Sequence, residues 1–311
     1  MLSILAVIAP IFALIALGYL AVHRGLYPAD GVKALIGFVN NFATPCLLFY
    51  SIGTSDFRAA FNIGIIGPYY FGAIVCFVLG IVVARRFFGN RPGEAVSAGF
   101  SAMFTNTVLV GLPIMSRAYG DGSLPVTLSI IGLHGAILLT LAMVTMELTR
   151  RDAQPLGATL VLAMRRVVSN PLIWGIAGGI SLSISGVELA EPIAAFFRMM
   201  AQAVVPAALF GIGGALNEFK LSDNWQQALV ASFIKLVIHP AIAYGLMIWV
   251  FHVPMEIARY GILLSAMPSG INIYVFATFY DRGVSVAANT ILIATVLSAL
   301  TISGWLYVLS L

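Results

Sequence analysis

From Leu2 to Val22 the chain runs for 21 residues without a charged side chain, and apolar stretches of similar length recur to its C-terminus. A helix of that length in water needs a polar face, and these stretches have none. Crossing ~30 Å of hydrocarbon takes about 20 mainly apolar residues at ~1.5 Å each, which is the length that recurs. Composition agrees. Charged residues are 9% of the 311, against about 25% in a soluble domain, and the mean hydropathy is +1.01. The chain therefore reads as an all-α integral membrane protein, because backbone in lipid must satisfy its own hydrogen bonds. The alternating polarity of a membrane β-barrel is absent.

Ten spans emerge: Leu2–Val22, Lys33–Gly53, Ile63–Ala84, Glu94–Ala118, Leu124–Glu147, Val167–Ser185, Pro192–Ala215, Gln227–Phe251, Ile257–Phe279 and Val284–Ser310. The N-terminal run lacks a cationic leader, so it reads as the first span and not as a signal peptide. With the N-terminus outside, eleven Lys and Arg residues fall in inward loops and four in outward ones. The positive-inside rule then places both termini outside the cytoplasm. The longest loop, Leu148 to Arg166, becomes cytoplasmic, with Leu156–Arg166 expected as a short amphipathic surface helix.

Five spans per half would invert the second half relative to the first. Pro45-Cys46-Leu47-Leu48-Phe49 in span two parallels Pro206-Ala207-Ala208-Leu209-Phe210 in span seven, 161 residues on. Pro113 and Pro268, in spans four and nine, lie 155 residues apart. The expected architecture is two inverted five-helix repeats, residues 1–147 and 167–311, joined by a linker over 148–166.

Spans four and nine carry Asn106-Thr107-Val108-Leu109-Val110-Gly111-Leu112-Pro113 and Pro268-Ser269-Gly270-Ile271-Asn272 near mid-membrane. Proline removes an N–H and clashes with the preceding turn, so both helices are expected to break there. Broken backbone at membrane depth is tolerated where it is buried or lines a cavity. Interruptions at matching places in two halves point to a transporter's binding site, with half-helix N-termini suited to an anion. Simple proline kinks with small packing residues are the plainer reading.

Acidic residues fall in loops or at span ends, so a carboxylate proton relay or an intramembrane aspartyl protease is not expected. Lys235 sits inside span eight, four residues before His239 on the same face. Two readings stand for it: a tethered counter-ion for the breaks or for an anionic substrate, or a side chain that snorkels to the interface. His134 in span five is either a proton-exchanging group or a hydrogen-bonded packing residue. Cys46 and Cys76 read as free thiols in apolar segments. There is no Walker A sequence, His-Glu-x-x-His or Cys-x-x-Cys, so neither an enzyme nor a cofactor or metal is expected. No basic stripe suits nucleic acid. The glycines at 178, 179, 211, 213 and 214 read as helix-packing positions.

The Asn-Thr-x-x-x-Gly-x-Pro segment from Asn106 to Pro113 resembles the first crossover of the auxin efflux carrier family. Met267-Pro268-Ser269-Gly270, followed by Val275, Phe276, Ala277 and Tyr280, resembles its second, and the Pro45–Phe49 region also fits. The short central loop is like that of bacterial members, which include malonate carriers. The resemblance implies a scaffold of spans 1, 2, 6 and 7, dimeric, and a transport domain of spans 3–5 and 8–10 that moves elevator-fashion. It implies a small organic anion as substrate and a bacterial inner membrane as location. Residue by residue it carries over Asn106 and Pro113 in the first crossover and Pro268 and Gly270 in the second. With the reading of the breaks, the expected carboxylate site is Asn106, Thr107, Gly111, Pro113, Pro268, Ser269, Gly270 and Asn272, and the candidate coupling or counter-ion groups are Lys235, His239 and His134. Asn272 departs from the apolar residue common in plant members and suits a smaller, more polar carboxylate than auxin. An anion channel or a non-transporting sensor on the same fold are the alternatives.

Overall fold

A computed structural model describes residues 2–54, 61–149, 168–219, 221 and 223–310, with 157, 161, 164 and 165 between them. Among the described residues the regular structure is helical, and one isolated antiparallel bridge joins Thr105 to Ser269. Among the described residues seven segments are long and apolar enough to cross a membrane. Six are α1 (Leu2–His23), α2 (Ala29–Gly53), α3 (Ile63–Phe87), α6 (Leu124–Thr149), α8 (Glu191–Ala215) and α9 (Trp225–Val250). The seventh is α12 (Val284–Val308).

The expected fourth and ninth spans are each interrupted. The first is α4 (Pro92–Met103), a non-helical stretch at 104–106, a π-turn at Thr107–Gly111 and then α5 (Leu112–Tyr119). The second is α10 (Met255–Ser265), a break, and α11 (Asn272–Tyr280). Between α6 and α8 lies α7 (Pro171–Ser185), shorter than the expected Val167–Ser185. Its start has a local cause. Pro171 is pre-shaped for the first helical turn, and the Asn170 side chain accepts from the Leu172 amide at 3.0 Å. The segment expected as a surface helix, Leu156–Arg166, lies outside the described residues apart from isolated positions.

The pairs α1–α8, α2–α7 and α3–α4 pack backbone against backbone; in the last, a Cβ on Gly99 would lie 2.6 Å from the Phe77 carbonyl oxygen. A Cβ on Gly213 of α8 would lie 1.9 Å from the Ile15 carbonyl oxygen of α1, and one on Gly18 would lie 2.1 Å from that of Phe210. In the α2–α7 pair, a Cβ on Gly175 would meet the Pro45 carbonyl oxygen at 2.5 Å. Apolar burial offers no drive between helices in lipid, so such close van der Waals contact is what holds them together. The glycines act here as packing positions.

Among the described residues five π-turns interrupt the helices, at Val39–Ala43, Thr107–Gly111, Gly135–Leu139, Ile234–Ile238 and Leu246–Val250. Each leaves a backbone group outside the regular ladder, a feature common at functional sites. At the fourth, the Trp305 indole N–H of α12 donates to the Leu236 carbonyl at 3.2 Å.

Candidate functional site

The two breaks meet and pair. The Asn106 amide donates to the Pro268 carbonyl at 2.8 Å, and the Gly270 amide donates to the Phe104 carbonyl at 3.0 Å. The Ser269 hydroxyl donates to the Ser101 carbonyl in the last turn of α4 at 2.8 Å. Backbone groups released by two interrupted helices thus satisfy one another, as groups buried away from water must. A Cβ on Gly270 would press on the Phe104 ring at 3.2 Å and the Thr105 carbonyl oxygen at 3.3 Å, so this crossing has little room for a side chain.

The prolines divide the work unequally. Pro268 lies within its break. Pro113 lies seven residues beyond Asn106, at the start of α5, so its missing N–H bears on the π-turn and not on the break. The end of α4 at Met103 has no local breaker. It is set by the strand-like pairing with 268–270 and by His134.

A cavity of about 230 Å³ opens against the crossing. From the sequence-predicted site, Asn106, Thr107, Gly270, Asn272 and His134 line it. Gly111, Pro113, Pro268 and Ser269 do not. Gly111 instead admits α10, since a Cβ there would lie 2.8 Å from Leu264 Cδ1. Across the cavity stand Asn40 and Asn41 in the π-turn of α2, and Asn170 with the first turns of α7. These three asparagines were legible as amides inside or beside apolar spans, but nothing in their spacing linked them to the breaks. A second cavity of about 320 Å³ shares Phe104, Gly135, Asn170 and Asn272 with the first and extends past Thr140 and Met143 of α6.

Asn106 carries the clearest signal. Its side-chain oxygen accepts from the Leu109 amide at 3.2 Å and so caps the helical turn that follows. Its side-chain nitrogen is buried and has no hydrogen-bond partner. An unpaired buried donor costs about 1–3 kcal/mol, so one held at a cavity wall is a place for an acceptor to bind. Asn272, exposed to the cavity at the start of α11, supplies a second amide beside a half-helix N-terminus.

Behind the crossing, Lys235 is fully buried. Its ammonium donates to the Ser265 carbonyl at 2.6 Å, at the C-terminal end of α10, and to His239 Nδ1 at 3.0 Å. A cation at a half-helix C-terminus opposes the partial negative charge there. The side chain does not extend to an interface. His239 Nε2 in turn donates to the Tyr69 carbonyl at 3.0 Å, so Lys235 and His239 stand beneath the site without lining it. His134 Nε2 accepts from the Thr105 amide at 3.2 Å, and its Nδ1 lies 3.3 Å from the Tyr69 hydroxyl. Cys46 and Cys76 are free thiols, and no cluster of three metal-ligating side chains occurs among the described residues.

Apolar spanning helices with two broken segments paired over a polar cavity define a polytopic helical membrane protein with an internal polar site. Residues 3–306 match the membrane transport protein family, and the chain belongs to this family, that of the auxin efflux carriers. It is 27% identical to a Rhizobium meliloti protein named "Putative malonate transporter", over 99% of this chain and 97% of that one. It is 22% identical to auxin efflux carrier component 8 of Arabidopsis thaliana, over 97% and 96% of the two chains. It is 24% identical to the lysosomal cholesterol signaling protein of Mus musculus, over 95% of this chain and 36% of that one.

Proposed function

We propose that the protein is a carrier for a small organic anion, a carboxylate such as malonate, that works by alternating access. The observation that carries this reading is the unpaired, buried side-chain nitrogen of Asn106 at the wall of a cavity built on two paired helix breaks. Asn106 and Asn272 donate to the carboxylate, and the half-helix N-termini beside them favour its charge. Thr107 and Gly270 complete the wall. Gly111, Pro113, Pro268 and Ser269 shape the crossing.

In this reading ten helices form two inverted repeats, each with one broken member. The packing supports it: α1 packs on α8 through Gly18 and Gly213, while α2 packs on α7 through Gly175. A twofold exchange of halves relates one pair to the other. These four helices form the scaffold, dimeric in the membrane, and the rest form a transport domain that carries the crossing past it. The cavity lies where the two meet, with Asn40, Asn41 and Asn170 on the scaffold side. In this reading the membrane is a bacterial inner membrane, as for the bacterial relative, and both termini lie outside the cytoplasm, the orientation the loop charges favour. The second cavity, reaching along α6 toward the cytoplasmic loop, then belongs to an inward-facing state.

Counterflow in proteoliposomes tests the proposal. Vesicles preloaded with malonate should transiently accumulate labelled malonate with wild type and not with Asn106→Ala. Flux that neither saturates nor shows counterflow would indicate a channel. Similarity to a signaling protein keeps a receptor in view, and saturable binding without any flux would favour it.

A further inference from the structure

His134 is the one ionisable side chain that lines either cavity among the described residues. It is also tied to the crossing itself. Its Nε2 accepts from the Thr105 amide, so the neutral ring carries its proton on Nδ1, toward the Tyr69 hydroxyl. The surroundings hold no charge that would pair with an imidazolium. From α3 come the Tyr69 and Tyr70 rings, and from the crossing the Phe104 ring, 4.6 Å away, and the Thr105 backbone. From α9 come His239, against the Tyr69 ring at 5.2 Å, and behind it the Lys235 ammonium. Among the described residues no carboxylate lines either cavity.

We propose that His134 is the proton-binding site that couples anion movement to proton movement; this rests on the carrier reading above. A proton can join the neutral ring only at Nε2, and that atom already receives the Thr105 N–H. Protonation therefore displaces a backbone bond of the first break, one residue before Asn106. The converse follows by linkage. An anion seated at Asn106 and Asn272 supplies the negative charge that the site lacks, so proton and anion bind together. The proton is drawn from water on the open side, resides on Nε2 while the anion is bound, and leaves with it on the other side. With the anion absent the imidazole returns to the neutral form. One proton cancels the charge of a monocarboxylate and halves that of a dicarboxylate, which removes or lessens the opposition of a potential that is negative inside.

The test separates coupling from transport. Counterflow at equal pH across malonate, succinate, lactate and phenylacetate selects the labelled probe and stands or falls with the carrier reading. The same vesicles are then given an acidic exterior, with the potential clamped at zero by potassium and valinomycin. Protein-free vesicles correct for entry of undissociated acid. Wild type should concentrate the probe about tenfold per pH unit, the ratio at which one proton per anion balances. His134→Gln should lose that concentration while still showing counterflow, at whatever reduced rate. Proton uptake on adding the probe to weakly buffered wild-type protein, read with an indicator dye, requires no variant. Counterflow without concentration and without proton uptake would overturn the proposal, and so would concentration that survives in His134→Gln.

Discussion

The Asn106 amide donates to the Pro268 carbonyl at 2.8 Å, joining residues 162 positions apart at the centre of the molecule. Neither helix break is complete without the other. Asn106 is held by its main chain to Pro268 and by its side-chain oxygen to Leu109, which leaves its side-chain nitrogen without a partner.

That division makes Asn106→Asp more informative than Asn106→Ala. Aspartate caps a helix as well as asparagine, whereas alanine forfeits about 1 kcal/mol. Aspartate also turns a donor into an acceptor facing the anion. The Asp variant should keep the cap and fold, melt below wild type because its second oxygen is buried without a donor, and lose anion affinity by roughly 10–100-fold, since a hydrogen bond to a charged group is worth about 1.5–3 kcal/mol. Wild-type affinity in a folded Asp variant would remove Asn106 from the site.

Lys235 gives a prediction about stability as much as transport. Lys235→Met keeps the volume but leaves the Ser265 carbonyl and His239 Nδ1 without their donor. Each acceptor left buried and unpaired costs about 1–3 kcal/mol, so the melting temperature should fall clearly. Arginine cannot repair this, because its fork is too large for a fully buried ammonium site. A Met variant as stable as wild type would show that these contacts are incidental.

The α1–α8 contact can be tested by a single methyl group. In Gly213→Ala the new Cβ collides with the Ile15 carbonyl oxygen, which is backbone and cannot rotate away. Overpacking of this kind costs about 1–3 kcal/mol, and here it should separate the pair or abolish folded yield. Gly304→Ala, in α12, is the matched control. Beyond its own stretch of helix no atom lies within 4 Å of its Cβ, so helix propensity alone should leave it neutral or slightly stabilised. Equal melting of both variants would contradict the packing described.

Much of this was legible in the chain. Seven of the expected spans followed from apolar length, and the interruption of two further segments followed from the amides, glycines and prolines they carry. The exact breaks were not, for a physical reason. Pro113 drew attention to the wrong turn, because α4 ends at Met103 through contacts with Pro268, Gly270 and His134, all remote in sequence. The far side of the cavity was likewise hidden. Asn40, Asn41 and Asn170 look like isolated polar residues until tertiary packing sets them opposite Asn106. Lys235 admitted two readings because depth along a helix does not reveal which neighbour lies beside it. Its full burial against Ser265 discriminates them.

Gly135 offers a way to close the cavity without touching any asparagine. It lies in a π-turn of α6 directly after His134, it lines both cavities, and a Cβ there would meet nothing within 4 Å. Alanine should therefore fold normally and leave transport largely intact. Phenylalanine should also fold, because its ring has the cavity to occupy, and in doing so it takes volume that the anion needs. The expected pattern is unchanged melting for both variants with counterflow abolished only in Gly135→Phe. If the Phe variant folds and transports like wild type, the anion passes elsewhere, and the crossing would be a structural joint and not a binding site.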